Sequence, residues 1–438
     1  MYSPLVKIKQ NYMEKRVVVT GMGVVTPVGN NVETFWKNIV DGVCGIDYIT
    51  QFPTDGLSVK IAGEVRDFKP ADYGIEPKAA RKFDRFSLFA LAAANQAVAM
   101  SGLKSTDDGE DDTPGTVHSD RFGVYIGSGI GGMHSFVNET AKLIKDGPQW
   151  ISPLFIPTMI ANIAAGNVAI AHHAKGPCLP IVTACATGTH SIGEAYRAIK
   201  FGYADAIIAG GTEAAVTPLA IGGFFNSKAL SPAEDPMAAS LPFDARRQGF
   251  VIAEGAGIVV LEEYEHAVAR GARIYAEICG YGNTCDAYHY TAPCPDGSTP
   301  AKAFRQALTE AHYSTSDLLH INTHGTGTPL NDKSETAAIK LALGETEARR
   351  AILCSTKSMT GHALGAAGGI EAVAAVLALD NGIVPPTINY KEPDPECDLD
   401  VNPNSARKAA LTIALSSSLG FGGHNAVLAF RRLYSRIN

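Results

Sequence analysis

Short apolar runs rich in Val, Ile and Ala recur along the chain, each closing on glycines and followed by small residues with helical spacing, the mark of strand–helix alternation. The first is Arg16-Val17-Val18-Val19-Thr20, with Gly21-Met22-Gly23 and Thr26-Pro27-Val28-Gly29 predicted as the turn into a helix carrying Phe35 and Trp36. Residues 122–126, 206–209 and 258–261 continue the series as strands. From about Glu76 to Met100 the spacing is helical and alanine-rich, which puts Lys78, Arg81, Lys82 and Arg85 on one helix face. Four cations near a helix N-terminus oppose the helix dipole, a conflict that an acidic partner would relieve. Residues 105–120 are polar and read as a surface loop.

At Ile274-Tyr275-Ala276-Glu277-Ile278-Cys279-Gly280-Tyr281-Gly282 the opening pattern returns, and strand–helix alternation starts again. The expected organisation is therefore an α/β chain of two related halves, 14–270 and 271–438. A disordered leader, 1–13, precedes them. Residues 1–12 carry Lys7 and Lys9 but neither an apolar core of signal length nor the Arg/Ser richness of a transit peptide, and Met13 is a candidate natural start.

Composition narrows the function classes. The chain has 438 residues, 46% hydrophobic and 18% charged, enough for a large globular core with no stretch that reads as a membrane span. A net charge of −7 argues against nucleic-acid binding, which needs a basic field. The eight Cys form no C-x-x-C pair and no zinc-type Cys/His spacing, so no metal is expected. Scattered thiols of this kind suit a reducing, cytoplasmic setting.

Candidate chemistry gathers at four places. In Ile181-Val182-Thr183-Ala184-Cys185-Ala186-Thr187-Gly188 an apolar run ends in a Cys just before a helical pattern, so Cys185 is expected on a strand-to-helix turn. A helix N-terminus there would favour a thiolate over a thiol. His324, in Asn322-Thr323-His324-Gly325-Thr326-Gly327-Thr328-Pro329, and His362, in Lys357-Ser358-Met359-Thr360-Gly361-His362, each lie in a small-residue turn after a short strand. Gly420-Phe421-Gly422-Gly423 reads as a mobile loop able to approach a ligand closely. Gly127-Ser128-Gly129-Ile130-Gly131-Gly132 formally fits the dinucleotide fingerprint. It lacks the second strand with a terminal acid that the fingerprint requires, and the following helix runs into Asp146-Gly147-Pro148. Backbone held close to a ligand or to another segment is the better reading.

Taken together, Thr183-Ala184-Cys185, His324-Gly325-Thr326-Gly327-Thr328-Pro329, Lys357-Ser358-Met359-Thr360-Gly361-His362 and Gly420-Phe421-Gly422-Gly423 resemble the β-ketoacyl-acyl carrier protein synthases of fatty-acid synthesis, most closely the elongating type II enzyme, from about Arg16 to Arg432. The resemblance implies a thiolase fold, two βαβαβαββ halves in a five-layer αβαβα sandwich, normally as a homodimer. It implies Cys185 as the nucleophile that takes an acyl chain, and His324 and His362 as donors to the malonyl thioester carbonyl during decarboxylation. Lys357, with Glu371, would set local electrostatics. The N–H groups of Cys185 and Phe421 would form the oxyanion hole.

The same resemblance implies that Thr326 and Thr328 meet the phosphopantetheine arm, and that Ile130, Phe155 of the partner subunit, Phe224 and Phe421 line the acyl site. Lys78, Arg81, Lys82, Arg85 and Lys228 would dock the acidic carrier protein. No cofactor is expected on the enzyme itself, because phosphopantetheine arrives on the carrier. Gln149-Trp150 departs from the basic pair often found at the docking surface. An elongating ketosynthase of polyketide-like specialised metabolism is the alternative reading. A non-catalytic chain-length subunit is disfavoured by Cys185, and a type III synthase by His362.

Overall fold

The computed structural model describes residues 14–107 and 115–433, so the expected leader 1–13 lies outside the described residues. Nine strands form the central sheet: β1 (Val17–Val25), β2 (Phe122–Gly127), β3 (Ala206–Glu213), β4 (Gly255–Glu263), β5 (Ala276–Cys285), β6 (Leu319–Asn322), β7 (Ile352–Cys354), β8 (Ile413–Gly420) and β9 (His424–Arg431). The helices that organise the layers are α1 (Arg85–Ser101), α2 (Ile163–Ala171), α3 (Thr187–Lys200), α4 (Ser298–Glu310), α5 (Pro329–Leu343) and α6 (Ala367–Asn381).

The spatial order β7-β6-β8-β9-β5-β1-β4-β3-β2 is the same arrangement read outward in both directions from the β1/β5 contact. On each side two antiparallel pairings are followed by a parallel one: β1/β4, β4/β3 and β3/β2 in one half, β5/β9, β9/β8 and β8/β6 in the other. The halves meet where Val17 pairs with Ile278 and Val19 with Ala276. Helices α1 and α2 cover the outer face of the first half, and α4 and α5 that of the second. Between the two halves of this sheet lie α3 and α6, each touching strands of both halves. These are the five layers of a thiolase fold.

The middle layer is legible from composition. Helix α6 is alanine-rich and buried from Ala367 to Leu379. The segment 364–381 is apolar and long enough to cross a membrane by composition alone, but its 89% burial makes it a core helix. Glycines let it lie on the strands, since a Cβ on Gly369 would stand 2.1 Å from the Gly257 carbonyl oxygen.

Four local expectations change. Gly21 and Gly23 are not a turn; β1 runs on to Val25, because a Cβ at either position would collide with the α1 carbonyls of Ala97 or Ala93 at about 2 Å. The glycines mark close helix packing within a strand. The single helix expected over 76–100 is broken: Pro77–Ala80 forms one turn, and α1 starts after Asp84, whose carboxylate caps it by accepting from Phe86 N–H. Lys78, Arg81 and Lys82 are exposed on the short turn, but Arg85 faces inward. It forms a bidentate pair with the fully buried Glu254 and donates to the Val65 carbonyl, so it is not one of four cations on a shared face. Finally, residues 181–183 are not a strand; the segment makes one bridge, Cys178 to Val124, on the outer edge of β2. Residues 104–106 and 116–118, within the expected loop, pair as two short parallel strands.

Candidate active site

Cys185 sits in a single 3-10 turn, Ala184–Ala186, that runs directly into α3. Ala184 has φ 50°, an uncommon value for a residue with a side chain. The other half repeats this feature. Leu364, at φ 47°, opens the turn Leu364–Ala366 that leads into α6, so Gly365 is the counterpart of Cys185.

The Cys185 side chain is buried, and its neighbours decide its ionisation. Burial pushes the thiol up to about 12, against the pull of the Lys357 charge and the backbone N–H groups of Phe421 and of Cys185 itself; Glu213 adds to the upward push. Burial in this pocket thus opposes the thiolate that the helix N-terminus is expected to favour. Those N–H groups lie beside the sulfur, within reach of the carbonyl oxygen of an acyl group that it would carry. Close approach of the loop depends on Gly420, since a Cβ there would come within 2.8 Å of the Thr183 carbonyl oxygen and 3.3 Å of Cys185 N.

His324 and His362 come from the ends of β6 and of the short helix Lys357–Thr360, and their rings meet edge to face with centroids 5.2 Å apart. Both are buried. Desolvation holds both imidazoles well below the ordinary histidine range, reinforced by the positive Lys357 and, for His324, by His362. Two neutral rings result. Each Nδ1 has no hydrogen-bond partner among the described residues, unlike His320, whose Nδ1 lies 2.8 Å from the Ile352 carbonyl oxygen and which is a satisfied core residue.

The two histidine turns are fixed through their backbones. Glu335 of α5, fully buried, accepts from the N–H groups of His324 and Gly325, each at 2.8 Å, and from the Ser417 hydroxyl. His362 donates its N–H to the Val251 carbonyl at 2.7 Å and accepts from Ala253 N–H, while its ring packs edge-on against Phe250. Ser355 joins the turns by donating to the Gly325 carbonyl at 2.6 Å. Lys357 is buried and bonds Glu371 of α6, whose carboxyl burial raises and Lys357 lowers.

Cys185, His324, His362, Thr326, Thr328 and Phe421 line one pocket. The hydroxyls of Thr326 and Thr328 are 2.9 Å apart at its wall. Phe224 stacks near Phe421 and Phe250, and with Met133, Ala215, Val216 and Leu364 it belongs to the apolar cluster around Cys185. Ile130 lies on the turn after β2, 38% exposed in the single chain, and is not among the residues lining the Cys185 pocket. Phe155 opens the short helix Phe155–Met159 and is not brought to the Cys185 pocket of its own chain. Lys228 is exposed, with its ammonium 5.6 Å from the Phe225 ring.

Glu213, Glu335 and Glu254 are the acids that the sequence did not reveal as parts of this site. All three are fully buried, and no local pattern distinguishes them from other acids near strand or helix ends.

Two family models, the beta-ketoacyl synthase N-terminal and C-terminal domains, match residues 14–267 and 275–391. The chain is 50% identical over 418 residues to a 3-oxoacyl-[acyl-carrier-protein] synthase 2 of Staphylococcus aureus (strain N315), covering 95% of this chain and 98% of that protein. It is 48% identical to a Synechocystis protein of the same name, over 96% and 99% of the two chains. Among solved structures, a type II polyketide ketosynthase in complex with its acyl-carrier protein matches with a TM-score of 0.86 and 37% identity, over 96% of this chain and all of that one. With two halves folded alike around one Cys–His–His pocket and both family models matched along their length, the chain belongs to the beta-ketoacyl synthase family.

Proposed function

We propose that this protein is a decarboxylating condensing enzyme that lengthens acyl chains, acting as a 3-oxoacyl-acyl-carrier-protein synthase of the type II, fatty-acid-elongating class. The observation that carries the reading is the convergence of Cys185, His324 and His362 on one pocket, with the Phe421 N–H directed at the thiol. The 50% identity to named synthases, against 37% to the polyketide ketosynthase, favours this over the polyketide-like alternative.

In the proposed sequence, the Cys185 sulfur attacks the acyl thioester on carrier protein. The C–S bond to phosphopantetheine breaks, and the thiol proton passes to the departing sulfur. The N–H groups of Cys185 and Phe421 hold the tetrahedral oxyanion. Malonyl-carrier then enters, its arm meeting Thr326 and Thr328. Loss of carbon dioxide leaves an enolate whose oxygen accepts N–H bonds from His324 and His362, each a neutral imidazole with one N–H to give. The enolate carbon attacks acyl-Cys185 and forms the new C–C bond. The released cysteine sulfur takes up the one proton that the overall reaction consumes. Burial keeps both imidazoles neutral, and Lys357, paired with Glu371, adds a positive charge that reinforces it.

The enzyme is read as a cytoplasmic homodimer that carries no cofactor of its own. Eight free thiols suit that setting. The edge segment beside β2 exposes Leu179 and Val182, with Leu154, Ile156 and Ile170 also exposed, an apolar set that a second copy would cover. Lys78, Arg81, Lys82 and Lys228 form the proposed docking surface for an acidic carrier, with Arg85 bracing it from within through Glu254. The test is product analysis with malonyl-carrier and acyl-carriers of graded length. Formation of 3-oxoacyl-carrier and carbon dioxide is expected; acyl transfer without a new C–C bond would refute the reading.

A further inference from the structure

Glu213 ends β3 with no exposed surface and no cation beside it. Its carboxylate is nevertheless fully used. Oε1 accepts from the Ser128 hydroxyl at 2.8 Å and from Ile130 N–H at 3.3 Å, and Oε2 accepts from Gly129 N–H at 2.8 Å and from Gly365 N–H at 3.0 Å. Three separate segments are thereby joined: the end of β3, the turn carrying Ile130, and the turn before α6 that mirrors the Cys185 turn. A buried carboxylate without a counter-charge is costly, and this one also opposes ionisation of Cys185. It therefore does not activate the nucleophile. What it does is satisfy buried backbone donors that would otherwise lack partners, in a geometry that fixes the turn.

The turn is packed on both sides. On its far side, a Cβ at Gly131 or Gly132 would meet the carbonyl oxygens of Met159 and Thr158 at 2.7 and 2.6 Å, so backbone already closes that side. At Gly129 the neighbours are Glu213, the Ala184 carbonyl and Gly365. Without Glu213 the turn keeps these backbone contacts but loses the bonds that fix where Ile130 stands.

We propose that Glu213 is a positioning residue for acyl-chain length: by holding the Ser128–Gly129–Ile130 turn against Gly365 it keeps the inner end of the acyl pocket open to long chains. This rests on the reading of Ile130 as a wall of that pocket. Glu213→Gln replaces one twice-used acceptor oxygen with an NH2 group that faces N–H donors. The expected result is a fall of roughly tenfold in the long-to-short ratio of kcat/KM across graded acyl-carriers. Should Glu213→Gln not fold, Ser128→Ala removes one of the same bonds and should shift the ratio in the same direction.

Equal loss at all lengths, or an unchanged ratio in the folded variant, overturns the proposal. Ile130→Phe is run alongside. If it lowers activity with long chains and Glu213→Gln leaves the ratio unchanged, the Glu213 role alone fails; if Ile130→Phe also leaves the ratio unchanged, the pocket reading fails and takes the proposal with it.

Discussion

The turns before α3 and α6 have the same backbone, with Ala184 and Leu364 bent to φ 50° and 47° ahead of equal 3-10 turns, yet one carries Cys185 and the other Gly365. The N–H of Gly365 is bound to the Glu213 carboxylate, whereas that of Cys185 points at its own sulfur. In the first half, then, the turn presents a reactive atom and a free donor. In the second it is a packing element, and chemistry moves to the ends of β6 and of the helix after β7, where His324 and His362 stand over a buried Lys357. Duplication supplied one scaffold twice. In the proposed mechanism the first half prepares the electrophile and the second the carbon nucleophile.

That division can be broken variant by variant. The largest effect is expected for Cys185→Ala, which should abolish condensation altogether, as read by the absence of 3-oxoacyl product. His324→Ala or His362→Ala should each lower malonyl decarboxylation by roughly 10²–10³, the usual consequence of losing one donor to a developing oxyanion, while acyl transfer to Cys185 survives better. Loss of acyl transfer with decarboxylation intact would reverse the assignment of the halves.

Lys357→Met tests the charge beneath the histidines. It strands Glu371 in the core, where one carboxylate oxygen already lacks a partner, and should cost about 3–5 kcal/mol in denaturant unfolding. The double variant with Glu371→Leu should recover much of that. Charge reversal at Lys78 and Arg81 should raise the KM for acyl-carrier severalfold at low salt with little change in kcat, since rim charges act on encounter. The smallest expected change is with pH. Both imidazoles are held well below 6.5, so neither gains its proton as pH falls through the ordinary histidine value, and the decarboxylation rate of the intact enzyme should stay flat there. A fall centred near 6.5 would mean that at least one ring is solvated.

Much of this was readable in the sequence for identifiable reasons. Strand–glycine–helix punctuation pointed to a repeat like the one in the sheet order, and a Cys or His next to small residues singled out Cys185, His324 and His362, which line one pocket, because backbone that must approach a ligand excludes bulk. The errors share a cause. Gly21 and Gly23 read as a turn because a strand pressed by a helix leaves the same glycines in the sequence. Arg85 read as surface because its partner, Glu254, is 169 residues away. Glu335 and Glu213 hold backbone N–H groups through tertiary contacts, which leave no periodic signal. The burial that opposes ionisation of Cys185 was not legible either, because helix position is local, whereas desolvation depends on everything packed around the thiol.

The division of labour between halves is tested most directly by carbon dioxide release from malonyl-carrier by Cys185→Ala, compared with His362→Ala. If the second half alone makes the enolate, the Cys185→Ala protein releases carbon dioxide at a rate comparable to or above that of the intact enzyme, and His362→Ala does so slower by roughly 10²–10³. Decarboxylation lost in Cys185→Ala and kept in His362→Ala would contradict the account.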